Sequence, residues 1–349
     1  IKWEPFRDVD DVFERFFAHF GASRADYYDL KTLSPYYRVF FAPGESVDIT
    51  ADRAQVGRLF ESFEPGGAQR LERYLERARY KYDVAMQDFL YREYRSVFDF
   101  LSLRMLVEGT RLNVFGKLDR SVRRYFRDRR ARQILEYAMV FLGTSPEAAP
   151  ALYSIMSHVD LNLGVHYPLG GLAAVAAGIG RLAREQGARV LLDHEVINLD
   201  VDQGRVRGVR TVAGEYPADA VLVNADYAHT ETVLLPPEAR SLPERYWRRA
   251  VVAPSMFILY LGVKRPLASL VHHNLYFAPD WRQHFATIFD RPAWPAEPCF
   301  YVSCISKTDV GMAPEGQENV FVLVPVAPGL DDGDERREVG DEAERSDGD

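Results

Sequence analysis

The run Tyr167-Pro-Leu-Gly-Gly171 stands directly before a helical pattern of Leu172, Val175, Ala176, Ile179, Leu182 and Ala183. Two adjacent glycines at a helix entry remove both Cβ atoms, so backbone N–H groups can come close to an anion or a flat ring. An ordinary turn uses Gly-Gly in the same way, and the residues alone leave both readings open. A second group is Lys117, Arg120, Arg123, Arg124, Arg127, Arg129, Arg130 and Arg132, set against only Asp119 and Asp128. These cations suit either a solvated face or a helix lying on an anionic lipid surface, with Phe115, Tyr125 and Phe126 dipping into the interface. Nucleic acid is disfavoured, because no recognisable binding module surrounds the patch. Cys299 and Cys304 have no second Cys/His cluster to complete a tetrahedral site, so neither a metal centre nor a disulfide framework is expected.

The elements that would position these groups follow from periodicity. Val12, Phe13, Phe16, Phe17 and Phe20 form a helical apolar stripe ending at Gly21, which predicts a core-facing helix. Tyr36–Phe41 and Glu45–Thr50 flank Pro43-Gly44 as a β-hairpin. Asp52 is placed to cap a helix through Val56, Leu59 and Phe60, and Pro65-Gly66-Gly67 separates it from another helix through Leu71, Leu75, Ala78, Tyr82 and Phe89. From Phe98 to Leu142 there is no proline and the apolar spacing stays helical. After the double glycine, Gly187 should stop the helix, and strands are expected over 189–192, 195–201, 205–212 and 220–226, with a turn at Asp202-Gln-Gly204. Met256–Val263, Phe300–Ile305 and Val320–Val326 also read as strands.

Composition bounds the function classes. The chain has 349 residues, 47% of them hydrophobic and 13% aromatic, enough to bury a large core and too apolar for a disordered or fibrous protein. No run of eighteen uncharged apolar residues predicts a membrane span. Residues 1–8 lack the features of a secretory signal, so the cytoplasm is the expected compartment. Residues 331–349 hold ten acidic residues against three arginines, −7 of the net −8, which leaves the body near −1. That stretch is expected to be a solvated, disordered acidic tail.

Several stretches, in order, carry a family likeness. They are Tyr167–Gly171, Glu185–Val190, Glu195-Val196, Gly204–Val209, Ala218-Asp-Ala-Val-Leu-Val-Asn-Ala-Asp226 and His229. Ser255–Gly262, His272-His273, Phe289-Asp290, Lys307-Thr308-Asp309, Ala313–Gly316 and Leu323–Pro328 continue them. Over residues 11 to 330 the chain resembles the phytoene desaturases of bacteria and archaea, carotenoid desaturases of the amine-oxidase-like flavoprotein superfamily. The resemblance implies an α/β (mixed α+β) architecture: a Rossmann-like FAD/NAD(P)-binding fold, incomplete here, with an interleaved substrate domain and a helical, membrane-facing region. It implies FAD as cofactor, and hydride removal from a C–C bond of phytoene or a related polyene held in an elongated apolar tunnel. Gly170 and Gly171 match the family's flavin-side double glycine. Val196 matches the valine whose backbone meets the adenine end of FAD, and Asn224 and Asp226 match the closing Asn-Ala-Asp. Asp226 reads equally as a helix N-cap. Arg104 falls near an arginine placed close to the reacting polyene, and equally reads as a surface residue.

The likeness also sets boundaries. Residues 1–95 correspond to part of the substrate domain, 96–160 to the basic helical region, 161–226 to part of the FAD-binding domain and 227–330 to the substrate-domain sheet. The Gly-x-Gly-x-x-Gly turn and following helix that hold the FAD pyrophosphate in this family are not among the 349 residues, nor is the closing glycine-rich segment. The expectation is therefore a fragment, or a chain working with a second polypeptide that supplies the dinucleotide-binding unit. The expected partners are a carotenoid and a membrane surface, with no nucleic acid. The alternatives are an inactive remnant or carotenoid-binding protein at the membrane surface, and a related carotenoid 3,4-desaturase, isomerase or saturase.

Overall fold

The structure, a computed structural model, describes residues 12–42, 44–86, 96 and 111–330. The described residues form two compact units, Ala177–Val252 and the remainder. In the larger unit a six-stranded sheet runs in the order β3-β2-β9-β10-β11-β8. Its strands are β2 (Tyr37–Phe41), β3 (Glu45–Ile49), β8 (Ser255–Val263), β9 (His273–Phe277), β10 (Phe300–Ser303) and β11 (Glu318–Val326). The strands expected near Tyr36–Phe41, Met256–Val263, Phe300–Ile305 and Val320–Val326 all contribute to this sheet. Neighbours are antiparallel except β2 and β9, which are parallel with Val39 opposite Leu275. β2 alternates buried and half-buried residues, the period-2 signature of a strand with one face in the core.

The helices pack on that face. Asp52 caps the helix Arg53–Phe63 by accepting from the N–H groups of Ala54 and Gln55 at 2.8 and 3.2 Å. Phe60 and Phe63 on this helix meet Phe41 and Phe126 in edge-on ring contacts. The next helix, Gly67–Val84, starts so close that a Cβ on Gly67 would lie 2.0 Å from the Phe60 carbonyl oxygen. Beneath the sheet, Tyr37 and Tyr137 donate to the buried carboxylate of Asp160 at 2.6 and 3.2 Å. A carboxylate so deep is tolerated only when donors replace its water, and burial first, then Asp160, pushes both phenols well above their usual pKa.

The N-terminal helix, Val12–His19, departs from expectation. Only Phe17 is buried, while Val12, Phe16 and Phe20 are exposed. β8 is a second departure from ordinary burial. Nine residue pairs join one edge of it to β11, its other edge pairs with nothing among the described residues, and Phe257, Ile258, Leu259, Tyr260 and Leu261 are all exposed. A short antiparallel ladder joins β1 (Leu30–Thr32) to β4 (His166–Pro168), just ahead of the double glycine.

The smaller unit holds the antiparallel meander of β5 (Val196–Asp202), β6 (Arg205–Thr211) and β7 (Gly214–Pro217). Gln203 and Gly204 both take positive φ, as a two-residue hairpin turn that matches strand twist requires. The helix Gly171–Glu185 closes at Gly187, where the Ala188 N–H returns to the Ala183 carbonyl and the Gly187 N–H to that of Arg184. Two expected strands are absent. Residues 189–192 and 220–226 form no ladder, and Leu192 and Leu222 are 73% and 98% exposed. Apolar, β-branched composition suits a buried parallel strand, but a strand exists only with a partner, and no neighbour pairs with these segments among the described residues.

Candidate functional site

The double glycine lies in the larger unit, beside the connection between β10 and β11 that carries Asp309. Gly170 and Gly171 both have positive φ, +84° and +73°, and both are exposed. The Gly170 N–H donates to Asp309 Oδ2 at 2.8 Å, and the Tyr167 hydroxyl donates to the same oxygen at 3.3 Å. Among the described residues no side chain accepts from the N–H groups of Gly171, Leu172 or Ala173. A Cβ on Gly171 would meet only the Tyr167 hydroxyl, at 3.7 Å, so the approach is open. A helix N-terminus favours an anion, but Asp309 already places a negative charge at this one. The entrance therefore suits close contact with a flat, polar ring better than a phosphate. These residues fit one face of a flavin.

The other matched positions lie in the smaller unit. Val196 is half-buried at the start of β5, opposite Thr211. Asn224 and Asp226 are exposed in the segment without a ladder. Asp226 caps the short helix Tyr227–His229, accepting from the His229 N–H at 2.7 Å, so the cap reading holds for this side chain. Arg104 lies outside the described residues, as do Phe89 and the acidic stretch 331–349.

A cavity opens between the six-stranded sheet and the helix Trp281–Phe289. It is lined by Tyr137, Leu275, Phe277, Trp281, His284, Phe285, Cys299, Phe300, Tyr301 and Leu323, among others, nearly all of it carbon and aromatic. Its interior of about 30 Å³ holds roughly one or two water-sized groups. Among the described residues this cavity has room for the end of a ligand. Trp281 Nε1 and His284 Nε2 are buried without a hydrogen-bond partner. An unsatisfied buried donor costs about 1–3 kcal/mol, so these atoms are out of keeping with a wall built only for packing.

The basic helices are Leu118–Arg123 and Arg129–Glu136. Of the three aromatics in the lipid-surface reading, two turn inward: Phe126 is 1% exposed and Tyr125 packs on Tyr74 at 5.3 Å. Hydrophobic side chains of an amphipathic helix choose the core when one is available. Phe115 is 94% exposed. Several cations are committed to the protein: Arg123 to Asp119 at 2.6 Å, and Arg130 to Asp128 and Glu45 while lying over the Phe63 ring.

Residues 9–332 match the family model described as flavin containing amine oxidoreductase. A carotenoid 3,4-desaturase of Haloarcula japonica is 45% identical over 95% of this chain and 67% of its own length. A zeta-carotene-forming phytoene desaturase of Myxococcus xanthus is 37% identical, covering 91% of this chain and 61% of its own. A 4,4'-diapophytoene desaturase of Staphylococcus haemolyticus is 30% identical, covering 91% and 64%. A solved Pyrococcus furiosus protein matches 95% of this chain and 67% of its own with a TM-score of 0.53 at 13% identity, a likeness of fold. The chain belongs to the flavin-containing amine oxidoreductases, and within them to the carotenoid desaturases. Its fold is mixed α/β, and its family is one of flavin-containing oxidoreductases. It spans about two thirds of the length of these relatives, and less for two of the three.

Sequence reasoning missed the cavity. Trp281, His284, Phe285 and Ile288 repeat at i, i+3, i+4 and i+7 behind Asp280, whose carboxylate accepts from the Gln283 N–H. That spacing and that cap were a readable helix signal.

Proposed function

We propose that the protein desaturates a carotenoid, removing two hydrogens from a carbon–carbon single bond of an acyclic polyene such as phytoene or a related compound. The 45% identity with the Haloarcula carotenoid 3,4-desaturase carries this reading, and the apolar cavity accords with it. When bound, FAD supplies the electron sink for the hydride. The chain's own contribution is positional. Gly170 and Gly171 let backbone approach a flat ring, with Asp309 and Tyr167 holding their turn. The aromatic wall of Phe277, Phe285 and Tyr301 receives an apolar chain and excludes water from it. The Gly-x-Gly-x-x-Gly turn is not among the 349 residues, so the proposed holoenzyme takes it from further polypeptide, in the same chain or a second one. The test is to incubate the flavin-loaded enzyme with an acyclic polyene and follow the pigment spectrum. Lengthening conjugation shifts the bands to the red; bound polyene with an unchanged spectrum would sink the proposal.

We also propose attachment at the cytoplasmic membrane surface, because a polyene is insoluble in water and must pass to the protein from a bilayer. No described helix is long and apolar enough to cross a membrane. Phe115 stands exposed beside exposed Lys117, Arg120, Arg124 and Arg127, and each cation near an anionic surface contributes about 1 kcal/mol. Co-sedimentation with anionic but not neutral vesicles is expected, reduced by Phe115→Ser together with Arg124→Gln and Arg127→Gln. Equal binding to both vesicle types would return this stretch to a solvated face.

A further inference from the structure

His272 and His273 are neighbours in sequence, both are buried, and their ring centroids lie 4.3 Å apart. Each is bonded towards a different site. The His272 Nδ1 atom shares a 2.7 Å hydrogen bond with the Thr308 hydroxyl, and the His272 carbonyl accepts from the Cys304 N–H at 2.8 Å. Thr308 directly precedes Asp309, whose carboxylate takes the Gly170 N–H and the Tyr167 hydroxyl. The His272 ring also packs edge-on against Tyr167 at 4.7 Å. One ring thus touches both the flavin-side turn and the connection that holds it. On the other side, His273 Nδ1 shares a 2.6 Å hydrogen bond with the Tyr301 hydroxyl, and Tyr301 lines the apolar cavity. All of these residues belong to the larger unit.

Buried rings in close contact cannot shift one at a time. His272 Nε2 has no hydrogen-bond partner, so among the described residues the Thr308 hydroxyl alone orients this ring by a side-chain hydrogen bond. Burial also keeps the ring neutral, lowering its pKa to about 4, so the link stays in one protonation state at neutral pH. A polyene end resting on Tyr301 would fix that hydroxyl and the His273 ring bonded to it. The His272 ring packed on His273 then holds Thr308, and with it Asp309, in place for Gly170. A second ligand arriving at an already ordered wall pays less for ordering it.

We propose that His272 and His273 are positioning residues that couple the flavin-side turn to the polyene cavity, so that a ligand bound at either place raises the affinity at the other. This rests on the flavin and polyene readings and adds a relation between the two sites that neither reading contains. The coupling must be reciprocal, because the same free energy links the two binding events in either order.

The test uses the flavin-loaded enzyme and an acyclic polyene that is already fully conjugated, which offers no further bond to desaturate and so leaves the flavin oxidised. FAD released on dilution is separated by ultrafiltration and quantified with and without the polyene. Polyene retained from detergent micelles is quantified in flavin-loaded and flavin-stripped protein. The wild type should hold each ligand about tenfold more tightly when the other is present, the two factors being equal. Thr308→Val, which removes the hydroxyl at nearly constant volume, and His273→Leu should each bring that factor near one while either ligand still binds by itself. His272→Asn, which can place a polar atom where Nδ1 stands, should keep part of the factor. A merely structural role would weaken both ligands and leave the factor unchanged. A factor of one in the wild type, or an undiminished factor in either Thr308→Val or His273→Leu, overturns the coupling and leaves the flavin and polyene readings intact. Failure of the wild type to retain FAD or the polyene at all overturns the reading of that site and the coupling with it. Should a melting curve show that His273→Leu does not fold, Thr308→Val decides by the same criterion.

Discussion

The Asp309 carboxylate and the Gly170 N–H are joined by a 2.8 Å hydrogen bond across 139 residues of sequence. The carboxylate fixes the turn that leads into the helix Gly171–Glu185, and it also takes the Tyr167 hydroxyl. A connection between β10 and β11 thereby sets the position of the double glycine.

Asp309→Ala should lower the FAD content of the flavin-loaded enzyme, because the Gly170 turn loses its acceptor. Asp309→Asn keeps an acceptor oxygen and should retain most of the flavin. The check is the ratio of flavin to protein absorbance after dialysis; full occupancy in Asp309→Ala would show that the turn holds itself.

Gly171→Val should reduce flavin occupancy by more than half. At φ +73° a β-branched residue is strained, and its side chain would stand where backbone must approach the ring. The same absorbance ratio reads the outcome, and normal flavin content would make Gly171 an ordinary turn residue.

Gly67→Ala should destabilise the larger unit. The new methyl would press on the Phe60 carbonyl, which belongs to backbone and can yield only if the two helices part. Such overpacking typically costs about 1–3 kcal/mol. Calorimetry should show a lowered Tm, and an unchanged one would mean the helix pair has slack.

Glu136 gives the protein a stability that falls as pH rises. It is 4% exposed, and burial, then the nearby Asp119, push its carboxyl up to about 8. Between the ordinary carboxylate pKa and about 8 the folded state holds a proton that the unfolded state has lost, so stability declines across that window and levels off above it. Glu136→Gln should remove this slope and raise Tm at pH 8 relative to the wild type. A wild-type Tm that does not decline between pH 5 and 8 would contradict the assignment.

How far the sequence could be read depended on how local each signal was. The Asp52 cap, the Gln203-Gly204 turn and the Gly187 stop are each decided by a few consecutive residues. The hairpin of β2 and β3 is equally local. The stripe of Val12, Phe16 and Phe20 misled because periodicity shows that a face is apolar, but not what covers it. Residues 189–192 and 220–226 misled for a related reason, as strand composition does not provide a pairing partner. The meeting of Trp281 and His284 with Tyr137 and Tyr301 was out of reach. It depends on the fold bringing Tyr137 to residues more than a hundred positions further along the chain.

The edge of β8 that pairs with nothing among the described residues has a bearing on how this protein behaves in the tube. Nine residues, all but Ser255 apolar and with no charge or proline among them, form the kind of margin on which a second molecule can lay a strand of its own. Concentrating the protein should therefore raise light scattering while helical circular dichroism is still intact, so turbidity would come from native molecules joining edge to edge. A single lysine, as in Tyr260→Lys, places a charge on that margin and should widen the range of concentrations at which the sample stays monodisperse.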